Sequence, residues 1–294
     1  MDNLITAYQE RLNLQNATFS RIDHEDATVA IVYKITQPAN VPLILKVCIR
    51  PNDYLHEVYF LKYFADILPV PQIVHVVQPE PTLHGAILME CLPGTPLKTR
   101  DFNDARAYEI GSLLARIHLN RTAGYGDLTQ PNNLTLDPRV SFTQKFEEGL
   151  AECENHLPKT LIEQCRSYYN AHINLLTSAD GPCITHRDFR AGNVIIDQGK
   201  LLGIIDWSSA RAGFAQEDFC PLEHGGWPAN PNAKESFFAG YASIRPVPDY
   251  KTMIPLLRLS RAIAIIGFTV KRETWNGHAA QLYQLNRQFL DMFF

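Results

Sequence analysis

The sequence predicts an α+β fold of two lobes, a small antiparallel sheet carrying one helix followed by a larger, mostly helical lobe. Three observations lead there. Residues 1–91 consist largely of short β-rich runs separated by polar or proline-containing turns. Beyond Pro93-Gly94 the apolar residues switch to helical spacing for most of the remaining chain. At 294 residues and 46% hydrophobic, the chain exceeds the usual single-domain size and can bury a substantial core. The boundary is expected near 90–94, giving lobes of 1–91 and 92–294 with a cleft between them.

Each element follows from its local pattern. Residues 1–15 place Leu4, Ile5, Tyr8 and Leu12 on one side of a short helix. Strands are expected at 17–22, 28–36 and 42–49, then a helix at 54–66 that Pro69-Val70-Pro71 closes. Two further strands, 73–78 and 84–91, flank a turn containing Pro79 and Pro81. In the second lobe, helices are expected at 101–120, 140–156 and 159–176, the first carrying Ile110, Leu113, Leu114 and Ile117 at helical spacing. A β interruption follows at 183–185, 193–197 and 201–206, the last two joined by the tight Gln198-Gly199 turn. Residues 232–294 read as three helices broken near Pro246-Val247-Pro248 and Asn276-Gly277.

Composition excludes several classes of function. A formal charge of −4 speaks against a nucleic-acid coat or a protein of anionic membrane surfaces. Six dispersed cysteines without a CxxC pair read as buried thiols of a reducing compartment. Residues 1–15 lack the apolar stretch of a signal peptide, and the longest apolar run, 262–270, is too short to span a bilayer. A cytoplasmic protein is therefore expected.

The strongest chemical signal is His186-Arg187-Asp188-Phe189-Arg190-Ala191-Gly192-Asn193, followed by Gly203-Ile204-Ile205-Asp206-Trp207. Phosphoryl transfer needs a carboxylate that orients the acceptor hydroxyl and takes its proton, together with oxygen ligands that hold magnesium on the nucleotide phosphates. Asp188 supplies the first, Asn193 one ligand, and Asp206, expected at the end of the following hairpin, the second. A turn in which Asp and Asn merely cap backbone groups is the simpler reading of the motif alone. The β–loop–hairpin context and the second Asp favour chemistry. Lys46, in the strand-like run 43–47, can point into the cleft toward the α- and β-phosphates, although a lone strand lysine is usually a solvated edge charge. Glu57, eleven residues on, is the residue type that would pair with it. Arg190 can neutralise charge on the transferring phosphoryl group or form a salt bridge with a nearby carboxylate.

On these residues the chain resembles the aminoglycoside phosphotransferase and choline kinase-like group, small-molecule kinases of the protein-kinase-like fold. That group usually writes the loop H-G-D-x-x-x-x-N, from which Arg187 departs toward the H-R-D of protein kinases. The resemblance implies Asp188 as base, Asn193 and Asp206 as Mg2+ ligands, a Lys46–Glu57 pair, and His186 holding the loop by hydrogen bonds. It also implies an inter-lobe connection at 86–94, where the backbone of Glu90, Cys91 and Leu92 meets the base of ATP or GTP. The stretch 20–28, where kinase-like proteins commonly place phosphate-covering glycines, contains none and carries three acids. Asp218 matches an acidic position expected to buttress the catalytic loop.

The expected partners are thus a nucleotide and a small acceptor, with no nucleic acid and no membrane. Glu147, Glu148, Glu152 and Glu154 can meet the amines of an aminoglycoside or amino alcohol, or form a solvated helix face. The loop 223–228 and Trp275 are further candidates for the acceptor site. Two other functions compete: a non-catalytic kinase-like binding protein, favoured by the glycine-free stretch, and a protein kinase. Trp207-Ser208 after Asp206, where protein kinases have Phe-Gly, and the lack of an Ala-Pro-Glu string weaken the latter.

Overall fold

The computed structural model describes residues 2–22, 30–38, 40–98, 101–223 and 230–294. By packing the chain divides into two compact units: Met1–Ile117 with His186–Ala210 and Pro228–Ile244, and His118–Thr185 with Arg211–Trp227 and Arg245–Phe294. The expected connection at 90–94 lies inside the first unit, and so does the loop from His186 to Asn193.

The first unit is built on an antiparallel sheet of five strands, β1 (Thr18–Arg21), β2 (Ala30–Thr36), β3 (Leu43–Cys48), β4 (Ile73–Val77) and β5 (Gly85–Glu90), in the order β1-β2-β3-β5-β4. Because side chains alternate along a strand, β3 serves two environments. Leu45 and Val47 join Tyr33, Ile35, Val77 and Leu88 in a core closed by α1 (Asp2–Arg11), whose Tyr8 is fully buried and donates its hydroxyl to the His84 carbonyl at 2.8 Å. Ile44 and Lys46 face the other way and line a cleft. Lys46 pairs in register with Val32 and Ile87, at the middle of the three central strands and not on an edge.

The helix expected at 54–66 is α2 (Pro51–Phe64). It starts three residues earlier because proline is tolerated in the first turn, where its missing N–H would be unpaired anyway. Its buried face carries Asp53, Tyr54, Glu57, Phe60, Leu61 and Phe64, the spacing of one helical stripe. Phe60 and Phe64 pack on the fully buried indole of Trp207, with ring centroids 6.1 and 4.7 Å away.

A second sheet of the same unit pairs β6 (Thr95–Pro96), β8 (Val194–Asp197) and β9 (Lys200–Ile204). Gln198 and Gly199 close the β8–β9 hairpin with φ of 45° and 82°, the positive pair that a type I′ turn requires. The strand expected to run to Asp206 stops at Ile204, because Asp206 turns out of the ladder with φ 66°. Asn193, expected to open a strand, instead closes a 3-10 turn, Ala191–Asn193. β6 is two residues long and includes a proline, too short to leave a period in the sequence.

Helices α3 (Asp104–His118) and α7 (Pro231–Ala242) approach at backbone distance. A Cβ at Gly111 would lie 1.9 Å from the Phe237 carbonyl oxygen, and one at Gly240 1.9 Å from that of Tyr108.

The second unit is mainly helical. α4 (Pro138–Cys153) lies against α8 (Ile254–Lys271), and Phe142, Phe146, Leu150, Leu256, Ile263 and Ile266 form part of its core. α5 (Lys159–His172) adds Tyr169, stacked on Phe146 at 3.9 Å, and α9 (Ala280–Phe293) adds Leu290. Two short elements that have no counterpart in the sequence reading, β10 (Arg211–Gly213) pairing with β7 (Cys183–Thr185), and α6 (Gln216–Pro221), complete it. No helix among the described residues is long and apolar enough to cross a membrane.

Gly240→Ala forces a methyl group into the Tyr108 carbonyl, so it should destabilise the protein by about 1–3 kcal/mol. At about 2–4 °C per kcal/mol the melting temperature should fall by several degrees in a thermal denaturation experiment. An unchanged melting temperature would contradict this helix crossing.

Candidate active site

The cleft lined by Ile44 and Lys46 has a volume of about 400 Å³, and its walls come from the first unit alone. Val32, Met89 and Ile195 give it apolar surface, while Lys46, Asn193 and Asp206 line it with polar groups. Such a combination suits a flat aromatic group carrying a charged tail.

Lys46 is buried, and its ammonium bonds two carboxylates at once, Glu57 Oε2 at 2.7 Å and Asp206 Oδ1 at 2.8 Å. Burial acts against the charged lysine, but Asp206 and Glu57 outweigh it and hold the ammonium above its ordinary pKa. The same ammonium holds the Asp206 carboxyl well below the usual carboxylate range, against the opposing effect of burial. Burial pushes the Glu57 carboxyl up, with Lys46 acting in the other direction. Lys46 is therefore no solvated edge charge. It is the cation between two acids that α2 and the 206–208 segment deliver to it.

Hairpin geometry brings the motif residues together. β8 pairs Val194 with Ile204, and the Ile205 N–H donates to the Asn193 carbonyl at 2.9 Å, so Asn193 and Asp206 emerge at the same end. The Asn193 amide donates to the Asp188 carbonyl oxygen at 2.8 Å and to Asp188 Oδ2 at 2.9 Å. Both contacts are to acceptors, which fixes the amide nitrogen on that side and leaves Oδ1 on the other. Asp206 Oδ1 takes two donors, Lys46 and the Ser208 hydroxyl at 2.9 Å, while no described donor reaches its Oδ2. One amide oxygen and one carboxylate oxygen are thus left without protein donors.

These two hard oxygens fit Mg2+, which keeps several waters and is held through one or two protein groups plus phosphates. No group of three or more His, Cys, Asp or Glu side chains that could hold a metal occurs among the described residues, so an all-protein cage is not what the site offers. His186 is fully buried, and its Nε2–H donates to the Ile205 carbonyl at 3.2 Å, holding the loop against the hairpin. Arg190 lines the cleft and donates from Nε to Asp188 Oδ2 at 3.1 Å, so the salt bridge weighed from the sequence is present. Arg187 has φ 64°, a left-handed conformation that explains the glycine usual at this position in the resembling loop.

At the far end of the cleft, Glu90, Cys91 and Leu92 are all lining residues. The Glu90 N–H already donates to the Gln72 carbonyl at 2.9 Å. Cys91 and Leu92 follow directly on the end of β5.

Several other expected residues belong to the second unit. Asp218 is fully buried in the second unit, its carboxylate 3.0 Å from His118 Nε2. Glu147, Glu148 and Glu152 form ion pairs with Arg166, Lys145 and Lys271. Trp275 packs on His156, with ring centroids 4.6 Å apart. Residues 23–28 of the expected phosphate-covering stretch and 224–228 of the 223–228 loop lie outside the described residues. Sequence reasoning does not single out Ser208 or His56, although Ser208 stands two residues beyond a metal-ligand candidate, where a hydroxyl can reach it.

Comparison with known proteins identifies the family. The model of the phosphotransferase enzyme family matches residues 23–256, whereas no curated protein matches the sequence. Among solved structures, the chain is similar to a thermostable mutant of aminoglycoside phosphotransferase APH(4)-Ia in ternary complex with AMP-PNP and hygromycin B. That match has a TM-score of 0.72 and 13% identity, covering 99% of this chain and 98% of that one. Macrolide 2'-phosphotransferase MphH from Brachybacterium faecium follows at 0.66 and 15% identity, covering 97% and 98%. Spectinomycin phosphotransferase APH(9)-Ia in complex with ADP and spectinomycin matches at 0.64 and 16%, covering 100% and 94%. At these identities the likeness shows the fold, which is that of the protein-kinase-like phosphotransferases. Together with the family match over most of its length, it establishes that the chain belongs to the phosphotransferase enzyme family.

Proposed function

We propose that this phosphotransferase is a small-molecule kinase that moves the γ-phosphoryl group of ATP or GTP onto a hydroxyl of a small acceptor, with Mg2+ held by Asn193 Oδ1 and Asp206 Oδ2. The observation that carries this reading is the pair of undonated oxygens beside the Lys46 ammonium in one cleft. Residues 1–91 would hold the nucleotide, 92–294 the catalytic loop and the acceptor, with the backbone of 90–92 at the base. Retention of Lys46, Asp188, Asn193 and Asp206 together favours catalysis over a binding-only role. Six free cysteines, five of them buried, suit a reducing cytoplasm.

In the reaction, the acceptor oxygen forms a bond to the γ-phosphorus while the bond to the β–γ bridging oxygen breaks, and the nucleoside diphosphate leaves. Asp188 orients the hydroxyl and takes its proton. Asn193 and Arg190 both donate to Asp188 Oδ2, which fixes the carboxylate plane toward the acceptor. Lys46 contacts the α- and β-phosphates from a position that Glu57 fixes. Arg190, on the cleft wall, offsets charge on the phosphoryl oxygens in transit. Magnesium, when bound, neutralises charge developing on the β- and γ-phosphate oxygens.

The solved structures similar to this chain act on, or are bound to, hygromycin B, a macrolide and spectinomycin by their names, so such compounds head the acceptor screen. Amino alcohols and choline-like amines complete it. The ion-paired glutamates of α4 lend an amine-binding face little support.

A coupled nucleotide-consumption assay over these acceptors tests the reading. Asp188→Ala should lower kcat by about 10²–10⁴-fold while stabilisation by nucleotide persists; unchanged turnover in that variant would sink the mechanism. Chelation of Mg2+ should abolish turnover in the same assay, and activity that survives it would remove Asn193 and Asp206 from the proposed metal role. Because recognition at Cys91 is assigned to the backbone, Cys91→Ala should leave nucleotide affinity, measured by calorimetry, close to that of the unmodified chain.

A further inference from the structure

We infer that Ser208 and His56 are positioning residues that decide which oxygen of Asp206 is offered to the metal, an inference that rests on the metal-ligand reading above. A carboxylate rotating freely would present either oxygen to its neighbours. Here Oδ1 is claimed twice, by the Lys46 ammonium at 2.8 Å and by the Ser208 hydroxyl at 2.9 Å, and Oδ2 is left. Lysine alone does not fix the plane, because an ammonium is a compact point charge without the planar fork that would set a carboxylate's orientation. The hydroxyl is local, on the same bend and two residues from the carboxylate it bonds.

Ser208 is itself held in place. It is 7% exposed, and its carbonyl accepts a hydrogen bond from His56 Nδ1 at 3.0 Å. A carbonyl only accepts, so His56 carries its proton on Nδ1. His56 precedes Glu57 on α2, and Glu57 holds the Lys46 ammonium that bonds Asp206. Consecutive residues of one helix therefore act on the bend, His56 through Ser208 and Glu57 through Lys46, and the bend holds Asp206 at φ 66° against its ordinary preference. The helix that positions Lys46 through Glu57 positions the metal ligand through His56 and Ser208. Partners that orient a metal's ligands typically change its affinity about 10–100-fold when removed.

The test is a magnesium titration of the thermal stabilisation given by AMP-PNP, with metal-free melting temperatures recorded alongside. Ser208→Ala should raise the magnesium concentration at half-effect about tenfold. Ser208→Thr, which keeps the hydroxyl, should restore it toward the starting value. Asp206→Asn should abolish the magnesium-dependent part altogether. An unshifted Ser208→Ala midpoint beside a silent Asp206→Asn would overturn the role of Ser208 while leaving the metal site standing. Alanine and threonine variants shifted alike would overturn it too, since packing and not the hydroxyl would then be responsible. An Asp206→Asn variant with the original midpoint would instead overturn the metal-ligand reading beneath it.

Discussion

One ammonium between two carboxylates organises the active unit. Lys46 comes from the centre of the five-stranded sheet, Glu57 from α2 and Asp206 from the bend beyond β9, three elements far apart in sequence. Burying such charges is costly, and an apolar trio of similar volume would hold the fold together at least as well. The arrangement makes sense as a site. A single cation between two acids leaves the trio with one net negative charge at the cleft, where one Asp206 oxygen and the Asn193 amide oxygen accept no donor among the described residues. In the proposed function a divalent metal would offset that charge, and Lys46 would face the phosphates.

The rest of the unit keeps these three groups in reach of one another. Trp207 lies against Phe60 and Phe64, so the residue after Asp206 is packed on the helix that carries Glu57. His186 fastens the loop to Ile205, and Asn193 fastens Asp188 to the start of β8. Five non-glycine residues among those described have positive φ, and two of them, Arg187 and Asp206, lie in the candidate site. Backbone strain of about 1–3 kcal/mol per residue persists only where surrounding contacts over-determine it. At Asp206 those contacts are identified, in Trp207, Ser208 and the helix that binds both.

Much of this was legible in the sequence, for physical reasons. Short β-rich runs between turns gave the central strands, and the H-x-D-x-x-x-x-N spacing with a second Asp after a tight turn gave the cluster of Asp188, Asn193 and Asp206. Lys46 and Glu57 could be paired because a strand followed by a helix leaves few candidates at that distance. The end of β9 was misplaced because nothing in Ile205-Asp206 reports a left-handed φ on a non-glycine residue. β6, β10 and α6 were missed because elements of two to six residues leave too few side chains to show a period. The acidic run on α4 resembled a substrate face since sequence does not show that Arg166, Lys145 and Lys271 fold onto it. Ser208 and His56 went unnoticed for the same reason: their part is made by a bond between segments 152 residues apart.

The most direct measurement is a crystal structure with AMP-PNP and Mn2+, the manganese located by its anomalous scattering. The account predicts one peak bridging Asn193 Oδ1 and Asp206 Oδ2, within coordination distance of both and of the phosphates, with Ser208 still bonded to Oδ1. A nucleotide bound in the cleft with no manganese on these two oxygens would contradict it.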